Sequence, residues 1–420
     1  MKKSKIKNLK KRHTSEMRFK LFGAASIGFA LLFLVLLFGM ILHKSSKAFW
    51  RSEIALEVDF SDKVEIAQNS QNSQVAQNAQ IAQIDFRAAI KNSLKAQFTN
   101  AQSLSEISSL YQILSKVANL ELKKQLEKNP ELLGKKSIFW LSASSKSDMF
   151  FKYGDKFSLN EKQILWLENL AEKNQVRQVF NWKFFQFADS REAEIAGIGA
   201  GLTGSIFVML IFLSLAFPIG VMCAFYLEEF APKNRATDII EISINNLAAI
   251  PSIIYGLLGL TVYLQFMNLP RSSSLVGGAT LFMLVLPVII IATRNTIRSI
   301  PNSIRDAAAA LGASKMQIAL HHLLPLSIPG IMTGTILAIS RALGETAPLL
   351  MIGMVAFIAD IPQNFTDPTS VLPVQIYLWS DSPEMGFVEK TAAAILVLLG
   401  FLILLNLVAI ILRKKFEKKW

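Results

Sequence analysis

Long stretches without Asp, Glu, Lys or Arg alternate along this chain with short, charge-dense segments. Six such stretches stand out: Leu21–Leu42, Ala196–Leu227, Ile242–Pro270, Ser272–Thr293, Leu323–Ser340 and Thr391–Leu412. A helix that crosses a bilayer needs about 20 mostly apolar residues, because it rises about 1.5 Å per residue across about 30 Å of hydrocarbon. Each run approaches or exceeds that length. Backbone amides in lipid must be bonded within their own segment, so all six are predicted to be α-helices. The fifth is expected to continue through an interruption to about Ile358. The first follows a basic head, as a signal peptide does. Its apolar stretch exceeds the roughly 7–15 residues of a signal h-region, and residues 43–46 (His-Lys-Ser-Ser) offer no small-x-small cleavage site. An uncleaved anchor is expected.

Charge orients these crossings. Residues 1–20 carry nine Lys/Arg against one acid, the tail Arg413–Trp420 five against one, and 294–322 four against one. Ala359–Lys390 carries one base against five acids. Positive residues favour the cytoplasmic side, which predicts six crossings with both termini inside. Glu228–Glu241, with four acids and two bases, departs from the rule, but its neighbours force it inside. The net charge of +13 falls mainly on the inside segments. The basic excess therefore reads as a topology signal, and no nucleic-acid partner is expected. The lone cysteine, Cys223, forms no intrachain disulfide.

The predicted fold is an all-α polytopic membrane protein with a small mixed α/β periplasmic insertion between helices 1 and 2. Its divisions are a basic cytoplasmic N-terminus (1–20), the first crossing (21–43), the insertion (44–195) and a membrane domain (196–420) whose inner loop spans 294–325. Within the insertion, 67–83 is an Asn/Gln-rich low-complexity tract. Ser103–Leu126 has apolar residues at helical spacing, Ser137–Tyr153 looks strand-like and Glu161–Glu172 helical. The insertion's role is not legible in its residues.

The inner loop carries the most specific pattern. Ser303 stands three residues before Asp306, and Ser314 three before Gln317, so each serine is predicted to open a helix with a capping box. Ile304, Ala308 and Leu311 share one face, and Gly312 suits a left-handed helix end. Two short amphipathic helices hinged at Gly312, beneath the membrane, are expected. The run Asp306-Ala307-Ala308, then Gly312, then Leu324-Pro325, resembles the EAA loop of ABC-importer permeases, written EAA-x3-G-x9-I-x-L-P. Asp306 stands in place of Glu, and His322 in place of Ile. The resemblance implies that Ser303, Asp306, Ala307, Ala308, Gly312 and Pro325 belong to an element docked on a separate ATPase subunit. This chain has no GxxxxGK[ST] phosphate loop. ATP and Mg are therefore expected on that partner, with no cofactor, catalytic residue or metal site in this chain.

Arg341 and Glu345 are the only ionised side chains in Leu323–Ile358. A charge at a bilayer centre costs roughly 2.5–3.5 kcal/mol on insertion scales and usually faces a bundle interior or an aqueous path. Their i,i+4 spacing lets them meet, and Gly344 and Pro348 could break the helix beside them. Arginine offers an oxyanion a bidentate fork. Arg341 and Glu345 are thus candidates for a substrate pathway, with a purely structural pair as the alternative. Arg294 is a weaker pathway candidate, because arginines at helix ends also mark the inside face.

Residues 217–234, 245–260, 340–350, 372–384 and 412–420 extend the resemblance. Over about Asp189–Trp420 the chain resembles the A-type (PstA) permease family of phosphate ABC importers. That implies a bacterial inner-membrane location, a PstC-like second permease, two PstB-like ATPase subunits and a periplasmic phosphate-binding protein. Charge physics does not separate phosphate from sulfate or molybdate. A membrane-anchored sensor would need a cytoplasmic signalling domain, and an intramembrane enzyme a nucleophile–base set; neither is evident. Pro251 is expected to bend the third crossing. His321 and His322, adjacent on a helix, read as interface residues rather than metal ligands. Trp50, Trp182 and Trp379 flank the spans and suit an aromatic belt.

Overall fold

The computed structural model describes residues 2–61, 81, 84–98, 103–156, 159–354 and 357–416. The Asn/Gln-rich tract 67–83 lies outside them, apart from Ile81. The chain opens with one helix, α1 (Lys2–Ser45). No residue of its span window is buried, and on one side it packs against the last helix, α16 (Met385–Phe416).

The insertion is a mixed α/β unit, as expected. Strand β1 (Trp50–Asp59) lies between β2 (Lys136–Ser142) and β3 (Val176–Phe180), both antiparallel to it. Helices α2 (Phe86–Gln97), α3 (Leu104–Tyr111), α4 (Ala118–Lys128), α5 (Ser145–Tyr153) and α6 (Glu161–Glu172) cover it. Ile54, Leu56 and Val58 alternate onto the buried face against Phe60, Phe139 and Leu141.

Two expectations fail here for one reason. Ser103–Leu126 is not one helix. It breaks between α3 and α4, where Leu114 forms a bridge with Ala143, and the Ser115 N–H donates to the Ser142 carbonyl at 2.9 Å. Nor is Ser137–Tyr153 strand throughout. The strand stops at Ser142, and the Ser144 side chain then accepts the Ser147 N–H to cap α5. Pairing with a distant segment outweighs local periodicity in both places. Helix α6 has the predicted bounds, Glu161–Glu172.

A short helix, α7 (Lys183–Gln186), leads into the membrane domain. There α8 (Gly199–Phe230) packs along α11 (Ser274–Ser299). Close approach requires glycine at Gly278, where a Cβ would meet Ile211 at 2.6 Å, and at Gly220, where it would meet Ile289 at 2.8 Å. The predicted third crossing is not one rod. It divides into α9 (Arg235–Ala248) and α10 (Ser252–Phe266), bent by 102° at Pro251. Pro251 disfavours the α conformation in the residue before it and cannot donate to the helix ladder. Asn234 starts α9 by accepting the Thr237 N–H at 3.0 Å, so the charged segment before Ile242 is itself helical. Among the described residues, five helices are long and apolar enough to cross a membrane, or six if α9–α10 counts as one span.

The fifth crossing, α13 (Lys315–Gly344), ends at Gly344; Glu345 is extended, and α14 (Ala347–Met351) follows. Then come α15 (Leu372–Ser380) and α16. Trp379 is not a belt residue. It is 3% exposed, packs against Phe387 and donates its indole N–H to Asp189 at 2.8 Å. Trp50 and Trp182 remain exposed.

Candidate translocation and coupling sites

The break in the fifth crossing defines the first site. Gly334 of α13 sits against Ala292 of α11, and further along Met354 sits against Gly277. Residues 341–346 therefore lie beside the middle of α11, away from either end. Pro348 after the break packs on Gly256 of α10. Arg341 and Glu345 do meet, with Nε 3.9 Å from Oε1 and side chains 36% and 25% exposed. At that distance the contact is an ion pair without a hydrogen bond, and among the described residues Glu345 is the one ion partner of Arg341. The fork of N–H donors is left open.

Arg294 is placed elsewhere. It is buried near the C-terminal end of α11, where its Nε donates to Glu228 at 2.6 Å and its Nη2 pairs with Glu241. Arg298 joins Glu228 at 2.9 Å, and Arg305 joins Glu229 at 2.8 Å. These pairs account for the acidic segment 228–241: its carboxylates neutralise the arginines of the neighbouring inner loop. The opposite charge excess of two segments assigned to one side was the signal available in the sequence.

The inner loop forms the second site. Helix α12 (Asn302–Ala310) contains Asp306, Ala307 and Ala308. Ser303 does not cap it. The helix starts two residues earlier than a Ser303 cap requires, at Asn302 after Pro301, and has no side-chain cap. Arg305 ties this end of the helix to the preceding segment, donating to the Ile300 carbonyl at 2.9 Å and to Asn302 Oδ1 at 3.4 Å. Ile304 and Ala308 pack inward with Phe225 and Ile318, whereas Leu311 departs from that face and is 90% exposed. Gly312, at φ +82°, makes the left-handed turn that was expected.

The Ser314–Gln317 capping box is present, with both reciprocal bonds. The helix it opens is not a second short one. Lys315 begins α13 itself, which runs unbroken to Gly344. Pro325 has no N–H for the carbonyl four residues back. The chain accommodates this with a wide, π-type turn over Ile318–Leu323, in which the Leu324 N–H reaches the Ala319 carbonyl. The loop is therefore joined directly to the broken crossing. Leu311, Met316 and Leu320 form its exposed apolar surface. His321 and His322 are exposed, and no metal-holding group occurs among the described residues.

A third cluster, which the sequence did not announce, ties the insertion to α16. Lys152, 3% exposed at its side chain, lies 2.7 Å from Asp148 and 3.1 Å from Glu389. The next residue, Lys390, donates to the Ala196 carbonyl at 2.5 Å. Burial, and then the Glu389 charge, push the neighbouring Tyr153 hydroxyl up to about 12. Nearby, a cleft of 740 Å³ opens between the insertion and the 357–363 loop, lined by Lys124, Lys183, Asp189 and Asp360 among others.

Residues 216–420 match the family described as "Binding-protein-dependent transport system inner membrane component". Residues 6–161 match a domain of unknown function, DUF3333. A probable ABC transporter permease protein of Bacillus subtilis, YqgI, is 33% identical over 51% of this chain and 78% of its own. The phosphate transport system permease protein PstA of Haemophilus influenzae is 32% identical over 51% of this chain and 74% of its own. Among solved structures, an inward-facing MetNI methionine ABC transporter chain aligns at a TM-score of 0.44 and 15% identity, over 53% of this chain and 96% of that one. The family match and the two sequence relatives, taken with the several helices able to cross a membrane, establish that the chain belongs to the family of binding-protein-dependent transport system inner membrane components.

Proposed function

We propose that this chain is the permease half of an ATP-driven importer of inorganic phosphate. Both termini face the cytoplasm, the 44–195 insertion lies outside, and α9–α10 counts as one broken crossing, giving six. ATP and Mg act on two PstB-like subunits docked at the inner loop. A PstC-like permease completes the path, and a periplasmic phosphate-binding protein delivers the anion.

The half-exposed guanidinium of Arg341, held loosely at the break of a membrane-crossing helix, carries this reading. Its unspent fork can engage two phosphate oxygens at once. Glu345, close by but not bonded, offsets part of the positive charge, so the anion is held weakly enough to leave. The exposed Leu311, Met316 and Leu320 offer an apolar contact for the ATPase. The unbroken run from Lys315 to Gly344 delivers movement of that contact to Arg341 as a rigid shift.

The test is phosphate uptake by the reconstituted complex bearing Arg341→Gln. Uptake is expected to fall about 100-fold, the scale for removing one partner of a desolvated charge contact, with complex assembly unchanged. Normal uptake would falsify the pathway role. Competition by sulfate or molybdate as effective as that by unlabelled phosphate would overturn the substrate assignment.

A further inference from the structure

Three elements meet at Arg305. It lies in the first turns of α12 and donates to the Ile297 carbonyl at 3.1 Å and the Ile300 carbonyl at 2.9 Å, at the inner end of α11. Its remaining donors grip Glu229, with Nη2 at 2.8 Å and Nε at 3.1 Å from Oε1. Glu229 belongs to the wide turn Tyr226–Phe230 that closes α8. One residue earlier, Glu228 takes Arg294 and Arg298 of α11. The inner end of α8 is thus held twice: through Glu228 to the body of α11, and through Glu229 to the coupling helix.

Covalent linkage makes the second grip informative. Helix α12 is joined through the chain to α11 on one side and, across Gly312, to α13 on the other. No covalent link joins it to α8. Between α12 and α8 lie an apolar seat around Phe225 and this ion pair. Apolar contacts tolerate sliding because they are non-directional. A forked Arg–carboxylate pair fixes direction and register. Both side chains are largely shielded, 21% and 15% exposed, so solvent screens the pair less than it would an open surface pair.

We propose that Glu229–Arg305 is a transmission contact that carries displacement of α12 into α8, beyond the two crossings that flank the loop. This rests on reading 294–325 as the coupling loop. Helix α8 can carry the displacement outward, because it packs along α11 and because its Ser205 side chain accepts the Leu372 N–H of α15 at 2.8 Å. Glu229 and Arg305 act as positioning residues and do not touch the anion.

The experiment uses the complete complex in vesicles, with ATP and inorganic phosphate as probes. Glu229→Gln removes the charge, keeps the shape and leaves Arg305 bonded to Ile297 and Ile300. Phosphate moved per ATP hydrolysed should fall about fivefold or more, the lower end of a typical coupling energy. Complex yield and melting temperature should stay unchanged, and Glu229→Asp should recover part of the ratio. An unchanged ratio overturns the proposal, as does a loss of uptake that only tracks loss of assembled complex. A second variant covers poor folding: Glu229→Cys with Arg305→Cys in a Cys223→Ser background, bridged by a short bis-thiol reagent. Bridging should restore the ratio, and failure to do so also overturns the proposal. Deleting 303–322 separates the two claims. ATP-driven uptake surviving that deletion sinks the coupling-loop reading, whereas a silent Glu229→Gln with the deletion inactive sinks only the transmission contact.

Discussion

The root of the insertion and the break of the predicted fifth crossing both hold ion pairs, yet they use them differently. Lys152 bridges two carboxylates, at 2.7 Å from Asp148 and 3.1 Å from Glu389, and is nearly inaccessible. Arg341 sits 3.9 Å from Glu345, partly open, with its donors unspent. A buried charge shared between two carboxylates holds parts together. A partly exposed charge with free donors can take an anion. Geometry, more than the presence of a pair, separates a lock from a site.

Several substitutions would break or sharpen that contrast. On phosphate uptake the largest effect of these is expected from Arg341→Lys. It keeps the charge but loses the planar fork, so phosphate uptake should fall about tenfold or more if the fork is what binds. Uptake within twofold of the parent would mean that charge alone suffices. Next is Lys152→Met at the lock. Breaking a buried pair by removing one partner costs roughly 3–5 kcal/mol. Limited proteolysis of the intact protein should therefore cut the insertion faster, while turnover of properly assembled complexes stays near normal. A specific uptake defect at Lys152, with the insertion still docked, would erase the distinction between the two regions.

Smaller effects test the hinge and the insertion's own ion pairs. No atom crowds Gly312, so Gly312→Ala meets only backbone strain at φ +82°. That is worth about 1–2 kcal/mol, and Gly312→Asn should cost less. Hydrogen exchange in α12 reports both. Burial raises the Glu121 carboxyl, but Lys183 and Ser142 outweigh it and hold the group below its ordinary 4.5. A depressed carboxyl contributes stability above its unfolded value and loses it as pH falls through the folded one. Acid unfolding of the insertion should therefore shift towards neutral pH, and lose part of its slope below 4.5, in Lys183→Met.

Much of the membrane domain was legible because lipid leaves a chain few options. Uncharged length alone located the crossings, and the Gly312 turn and the Ser314–Gln317 cap came from local chemistry. Arg341 and Glu345 stood out because ionised residues are rare inside such runs. The insertion was less legible. Its helix break at 112–117 and its strand end at Ser142 depend on one edge pairing with another. The Ser303 cap failed because the helix begins at Asn302, directly after Pro301, which leaves Ser303 inside the first turn.

The sequence by itself determined which segments are long and apolar enough to cross a bilayer and which charges are out of place in them, because the cost of an unsatisfied amide or ion in hydrocarbon is set by residue type and run length. Only the tertiary structure decided which of those charges are spent and which are free. Partner choice for Arg294, Arg305, Lys152 and Arg341 depends on helices brought together from distant parts of the chain, and no local pattern encodes a distance of 2.7 Å at one lysine and 3.9 Å at one arginine.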